Sequence, residues 1–343
     1  MEKFLILKGC AGLGNRLITL FKAMNYANKS NRSLYVDWSD GMFAEKGSNV
    51  FYKYFMLDGV KYTQDISGIK SCISQGASTY PQTLELGMLD NSIYDDWHVT
   101  GGWIAKYPIY RIIMSFLFKG KISSILGLQS WQMNTDKSNG YFHRIRNVFN
   151  NTNFLLGGQL TIDKESTVVL FVDFRPFVKT KYIFDNIKLK EKYINSFLQF
   201  ADKYNLRNIG IGVHIRATDK KPSSKIEKLQ KKIDMLLKQD DNRIIFLSTD
   251  NNQLKQKWET KYNGRMITYP KYLPEDLNGR GIHHWALEQN IPNIKERMFE
   301  ESLADMWILS MCKHLFWQGN SSFSLMSSIL KNDKENVQNW LKL

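Results

Sequence analysis

Apolar and polar positions along this chain switch between two periods. Phe4-Leu5-Ile6-Leu7 is a short continuous apolar run, which predicts a buried parallel strand. A glycine-rich turn from Gly9 to Arg16 follows, and Leu17, Leu20, Phe21, Met24 and Ala27 then recur at helical spacing. Leu34-Tyr35-Val36-Asp37-Trp38 predicts a second strand ending in an acid, so the opening reads as one βαβ unit. The second half repeats this logic. Runs at 168–172, 209–215, 244–250, 266–269 and 314–317 predict strands. Segments 188–205, 226–237, 300–311, one from about Gln253 and one from Ser321 onward predict helices. Residues 40–150 show no comparable regularity. The pattern predicts an α/β protein with two doubly wound domains, the boundary near 175–200.

Composition narrows the class. Across 343 residues, 43% hydrophobic and 23% charged positions exclude wholesale disorder, and 7 Pro with 22 Gly and no short repeat exclude collagen and coiled coil. Three widely spaced cysteines fit buried thiols in a reducing compartment better than a disulfide framework or a zinc site. Lys+Arg 47 against Asp+Glu 33 gives +14, a field that attracts nucleic acid, anionic lipid or phosphorylated substrates. No RNP, zinc-finger or helix-turn-helix pattern accompanies that charge, so nucleic acid is not expected as a partner. Met1 to Lys8 runs straight into the first strand without a leader. The longest apolar window, 112–118, is far short of the ~18 residues a spanning helix needs. The expected location is cytoplasmic, with peripheral contact at the inner membrane face as one option. Segment 103–131 is aromatic and basic without a single acid. It reads either as core helices with solvated lysines or as a surface that sits against a membrane.

Several loops carry candidate chemistry. Gly12, Gly14 and Asn15 lie in a strand–turn–helix that suits a diphosphate, with Asp37 twenty-three residues beyond Gly14. The order G-x-x-G-x-G is a weak nicotinamide signature, and strand–helix packing explains it as well. His214-Ile215-Arg216-Ala217-Thr218-Asp219-Lys220 sets an imidazole, a guanidinium and an ammonium just past a buried strand. Such a set can grip phosphate oxygens without a metal, or form a structural ion pair. Ser224-x-x-Glu227 matches a capping box, although Glu227 could also serve as an acid or base. Asp250 ends a strand where ligands bind, or caps the next helix. Asp305 offers a carboxylate that can accept both N–H protons of guanine, and Gly319 to Ser324 forms an anion cradle at a helix head. His283 and His284 are adjacent and lack convergent ligand spacing, and no H-E-x-x-H, C-x-x-C pair or D-x-D motif is present, so no metal is expected; no cofactor is expected either.

In this order the segments resemble the GDP-fucose-dependent fucosyltransferase superfamily, nearest to the nodulation-type and core-type α1,6-fucosyltransferases. Gly12-Leu13-Gly14-Asn15-Arg16-Leu17 with Arg32-Ser33-Leu34-Tyr35-Val36-Asp37-Trp38 is similar to the nodulation motif. Val213 to Lys220 is similar to H-V-R-R-T-D-K, Leu247-Ser248-Thr249-Asp250 to L-A-T-D, Gly281-Ile282-His283 to G-L-H, and Asp305 through Ser322 to D-x-x-F-L-S…S-S. The matches cover about residues 9–55 and 188–330.

The resemblance implies a GT-B fold: a Rossmann-like acceptor-side domain, 1–180, faces a nucleotide-sugar domain, 181–343, across a cleft, and the C-terminal helix packs back on the first. It implies inverting, metal-independent transfer of L-fucose from GDP-fucose to a glycan hydroxyl, on a surface polysaccharide or lipid-linked oligosaccharide. Arg216 and Lys220 would grip the β-phosphate, His214 and Asp305 the guanine, and Ser321 a phosphate. Gly12, Gly14, Asn15, Asp250, His283 and Ser322 complete the donor set. Two positions depart from the pattern. The second arginine is Ala217, and the family's catalytic glutamate falls on Ser224. The base is left open among Asp219, Glu227 and others. A different nucleotide-sugar donor and a nicotinamide-dependent oxidoreductase stand as alternatives.

Overall fold

The computed structural model describes residues 2–9, 12–80, 165–171, 181–218, 225–275, 282–287, 289–333 and 335–343, with a few isolated positions and short strands between 84 and 155. The first apolar run forms β1 (Lys3–Lys8), which lies parallel to β2 (Arg32–Asp37), with Lys8 opposite Asp37. The helix between them, α1 (Leu13–Lys29), buries Leu17, Leu20, Met24 and Ala27, the positions its spacing marked. After α2 (Ile66–Ser74) comes the short β3 (Thr79–Tyr80), and much later β4 (Val168–Phe171) inserts beside β1. The resulting sheet runs β2-β1-β4-β3 with every pair parallel. Phe4, Ile6, Tyr35, Ile69, Val168 and Leu170 fill one face of it.

The second sheet is built the same way. In chain order it receives α3 (Glu191–Lys203), β5 (Gly210–Ile215), α4 (Ile226–Gln239), β6 (Ile244–Thr249), α5 (Asn252–Lys261) and β7 (Met266–Ile267). Then come α6 (Ile282–Leu287), α7 (Ile294–Met311), β8 (His314–Trp317), α8 (Ser322–Lys331) and β9 (Val337–Asn339). Strand order is β7-β6-β5-β8-β9, again all parallel. Ile211, Val213, Ile215, Leu229, Ile233, Leu237, Ile245, Leu247 and Trp258 form its core. Gly212 lets β5 and the end of α7 approach closely, because a Cβ there would lie 3.0 Å from Cys312 Cβ and 3.2 Å from Leu309 O, tight enough that the neighbours would have to shift. Burial pushes the Cys312 thiol well up, so it is inert, whereas Cys72 is only half-buried.

The chain divides into two compact units, Met1–Gly41 with Glu45–Lys188, and Met42–Ala44 with Leu189–Leu343. Residues 42–44 therefore belong with the C-terminal half, where Phe43 stacks on Phe299 at 4.5 Å.

One expectation is corrected, the start of the helix predicted over 300–311. Helix α7 begins at Ile294, six residues before the predicted start. Helix α8 stops at Lys331, Asn332 adopts φ 49°, and the chain enters the second sheet as its edge strand. Trp340 follows, fully buried in that unit's core. Helix α4 begins at Ile226, and Lys225 in the cap position makes no side-chain cap bond. Ser224 lies outside the described residues, as does 103–131 apart from Trp131.

Candidate functional site

Because all five strands of the second sheet are parallel, their carboxyl ends line one edge, where side chains and helix heads meet. His214 and the 216–218 loop leave β5, Ser248 to Asp250 leave β6, and Gln318 leaves β8.

The loop carrying Arg216 is pinned from both sides. Arg216 N–H donates to Gln318 Oε1 at 2.7 Å, and Gln318 Nε2 donates to Arg216 O at 3.4 Å and to Asn320 Oδ1 at 2.9 Å. Asp250 Oδ1 accepts from Ala217 N–H at 2.8 Å, and Oδ2 from Thr218 Oγ1 at 2.6 Å. Asp250 thus positions the loop. It does not cap the following helix, whose head is capped by Asn251 through Leu254 N–H at 2.7 Å. Lys220 and Asp219 lie outside the described residues.

Asp305 projects from α7 toward the end of β6 and is 4% exposed. Its Oδ2 accepts from Ser248 Oγ at 2.9 Å and from Lys271 Nζ at 2.5 Å, and Lys271 also donates to Thr249 O at 2.7 Å. A buried carboxylate needs such partners, since charge without them is costly to enclose. Its other oxygen, Oδ1, is buried with no hydrogen-bond partner among the described residues. One turn earlier on α7, Glu301 accepts from Tyr272 N–H at 3.0 Å and Arg297 Nε at 2.8 Å. Burial nevertheless raises its carboxyl above the ordinary range, against the lowering from Arg297, Tyr272 N–H and Lys271.

The turn between β8 and α8 is organised by Ser324, not by the residue at the cap. Ser324 Oγ bonds Gln318 N and Gln318 O, both at 3.1 Å. Ser321 holds the cap position with extended backbone but makes no side-chain cap bond, and its buried Oγ has no partner among the described residues. An ordinary N-cap is therefore excluded for Ser321, which leaves a hydroxyl at the positive end of a ten-residue helix. Ser322 is the half-buried first residue of that helix, and Phe323 packs its ring 5.1 Å from His214. His214 is buried, and its carbonyl accepts from Trp340 Nε1 at 3.0 Å. The structure thus gathers His214, Arg216, Asp250, Asp305, Ser321 and Ser322 at related positions of one sheet edge. Glu227 stands apart from this bonding, exposed on the first turn of α4. His283 lies in α6 by its backbone, its side chain outside the described residues.

The glycine turn of the first unit has a structural explanation. Arg16, 1% exposed, makes a bidentate pair with Asp40 at 3.1 and 2.6 Å and lies 5.5 Å from the Trp38 ring centre. A Cβ on Gly9 would stand 2.1 Å from Arg16 Nη1 and 2.8 Å from Trp38 Cδ1, so that position must be glycine. Gly12 sits at the head of α1, Gly14 is buried inside its first turn, and Asn15 is half-buried beside it. Asp37, which the nicotinamide alternative selected by its spacing from the glycine turn, is 6% exposed and paired with Lys8 at 3.3 Å. It also accepts from Ser39 N–H at 3.0 Å and from the Ser39 hydroxyl. Lys8 and Ser39 thus hold the carboxylate on which that alternative relied.

Lys271, Gln318 and Ser248 are the polar residues of this edge that motif reading did not select. Ser248 and Gln318 carried the one available signal, a polar residue at the end of an apolar strand. Lys271 lies in a loop beyond an edge strand and carried none.

No protein-family model matches the sequence, and no curated protein sequence matches it. Solved structures do. The fold is similar to that of the NodZ α-1,6-fucosyltransferase soaked with GDP-fucose, with TM-score 0.55, 17% identity, and 96% of this chain covering 93% of that one. Fucosyltransferase NodZ from Bradyrhizobium gives 0.54 and 17%, with 96% and 94% covered. POFUT1 in complex with GDP gives 0.51 and 11%, with 96% of each chain covered. The chain therefore has the GT-B-type α/β fold of these fucosyltransferase structures, as the sequence motifs implied.

Proposed function

We propose that this chain is a glycosyltransferase that moves L-fucose from GDP-fucose to a glycan hydroxyl with inversion and without a metal. One observation carries the reading. Ser321 Oγ and Asp305 Oδ1 are buried polar atoms without partners among the described residues, set around a sheet edge where this fold binds ligands. A hydroxyl at a helix head suits a phosphate oxygen, and a carboxylate oxygen suits the N–H edge of guanine. The likeness to structures holding GDP and GDP-fucose supports the same donor class.

In this reaction the acceptor oxygen forms a bond to the sugar's anomeric carbon as the bond to the β-phosphate oxygen breaks. The electron pair leaves with GDP, and the acceptor proton passes to a base. Arg216, on a loop fixed by Gln318 and Asp250, would meet the growing phosphate charge with the head of α8 and Ser321. Cations fixed beforehand stabilise that charge without reorganising, the main catalytic benefit of a rigid loop. The base is unassigned, because Asp219 lies outside the described residues and Glu227 is solvent-facing. A lipid-linked acceptor at the inner membrane face is part of the proposal, resting on the acid-free segment 103–131. No helix among the described residues is long and apolar enough to cross a membrane.

The test is thermal stabilisation by GDP, UDP, CDP, ADP and NAD, each with and without EDTA. Ligand at a hundredfold its Kd adds about 2.7 kcal/mol, a shift of several degrees. Selective stabilisation by GDP, indifferent to EDTA, is expected. A response to another nucleotide sugar's diphosphate would change the donor, as the Ala217 departure allows, and a response to NAD alone would overturn the proposal. Arg216→Ala should abolish transfer at an unchanged melting temperature, and retained transfer would refute the phosphate grip.

A further inference from the structure

The pair of Lys271 and Asp305 presents more than a structural ion pair needs. Asp305 Oδ2 is shared by Ser248 and Lys271, which leaves Oδ1 as a buried acceptor. Lys271 is 9% exposed along its side chain, and its ammonium carries three N–H donors. Two of them serve Asp305 Oδ2 and Thr249 O, so the third has no acceptor among the described residues. One open acceptor and one open donor therefore stand side by side, joined through a 2.5 Å contact. Enclosing either without a partner is unfavourable, which points to a ligand edge that supplies both.

We infer that Lys271 is a specificity-determining residue of the donor site, its ammonium donating to the 6-keto oxygen of the base whose N–H groups face Asp305; this rests on the reading proposed above. The complementary edge is a ring N–H beside a carbonyl. Guanine and hypoxanthine present that order at N1 and C6, and guanine adds its 2-amino group for the carboxylate. Uracil presents a shorter version without the amino group. Adenine and cytosine reverse it, setting an amino group against the ammonium and a bare ring nitrogen against the carboxylate. Discrimination of this kind is large because the wrong base leaves two buried polar groups unmatched.

The experiment measures Kd by calorimetry for GDP, 6-thio-GDP, IDP and ADP, on the wild-type chain and on Lys271→Met. The sulfur analogue keeps both N–H donors and weakens only the acceptor at position 6. Wild type should bind GDP about tenfold tighter than 6-thio-GDP, as loss of a charged hydrogen bond implies. In Lys271→Met, GDP affinity should fall about tenfold and the GDP to 6-thio-GDP ratio should collapse toward one. The GDP to IDP ratio, which reads the 2-amino group at Asp305, should persist. Equal loss for all ligands would make Lys271 a prop for Asp305 and overturn the inference. Wild-type indifference between GDP and 6-thio-GDP would overturn it with no variant needing to fold. If wild type binds no GDP at all, the donor reading itself fails; GDP binding that ignores position 6 sinks only the role of Lys271.

Discussion

Replacing Asp250 with Ala should release the loop that carries Arg216. Two hydrogen bonds are lost, to Ala217 N–H at 2.8 Å and to Thr218 Oγ1 at 2.6 Å, both accepted by one carboxylate. Bonds to a charged group contribute about 1.5–3 kcal/mol each, and this group is half-buried, so the lower end applies. The expected total is about 3 kcal/mol. For a unit of roughly 150 residues, each kcal/mol moves the melting temperature by about 2–4 °C, which gives about 6–12 °C. Thr218→Val removes only the second bond and should produce about half that shift. Scanning calorimetry of the full chain is the assay, because two units can unfold separately and only the second should move. GDP affinity, taken well below the transition, should fall as well, since the Asp250 side of the loop that carries Arg216 is then released while the Gln318 side is kept. A melting curve within about 1 °C of wild type, with unchanged GDP affinity, would refute the positioning role.

Three further outcomes are expected. Asp37→Asn breaks the buried pair with Lys8 and should cost about 3–5 kcal/mol of stability while GDP affinity holds; selective loss of NAD binding instead would restore the nicotinamide alternative. The His314 imidazole is held below its ordinary value by burial and by Arg243, Lys313 and Lys331. The unfolded chain then takes up the proton first, so stability is full above pH ~6.5 and declines below it. His314→Gln should flatten the melting temperature between about pH 5 and 7, and a slope parallel to wild type would exclude this residue as the source. Trp340→Ala should cost about 3–5 kcal/mol by denaturant titration, because its ring is fully buried. Trp340→Phe should cost about 1–3, the penalty for leaving the His214 carbonyl without its indole donor.

The parts of this fold that could be read in advance are those where local pattern and tertiary position agree. Strands β1, β5 and β6 are continuous apolar runs because both of their faces are covered, and α1 and α4 show the spacing of half-exposed helices. Helix α7 starts earlier than predicted because its first two turns carry Lys295, Glu296, Arg297 and Glu300, and the buried Ile294, Met298 and Phe299 among them are too few to set a period on their own. Strand β9 is the three residues Val-Gln-Asn, which have no strand signature of their own and pair only because β8 offers a free edge. In the site, His214, Arg216 and Asp305 were legible as chemistry at strand ends and on a helix. What each touches was not. Asp37 fitted a nicotinamide signature by spacing, yet register sets it opposite Lys8, and register depends on the partner strand. Lys271 reaches Asp305 across thirty-four positions from an irregular loop, a contact that no periodicity encodes.

The three residues at 42–44 have a consequence for how the protein can be taken apart. Phe43 stacks on Phe299 inside a unit otherwise made of the C-terminal half, so no single cut yields two self-sufficient pieces. A fragment starting at Leu189 would display the Phe299 ring to water and lack its cover. The closure that joins them spans about 250 residues, but closure entropy grows only with the logarithm of length, so distance along the chain is a weak penalty. Dissection, permutation or transplantation of the C-terminal half should therefore carry Met42–Ala44 along as a grafted segment or a supplied peptide.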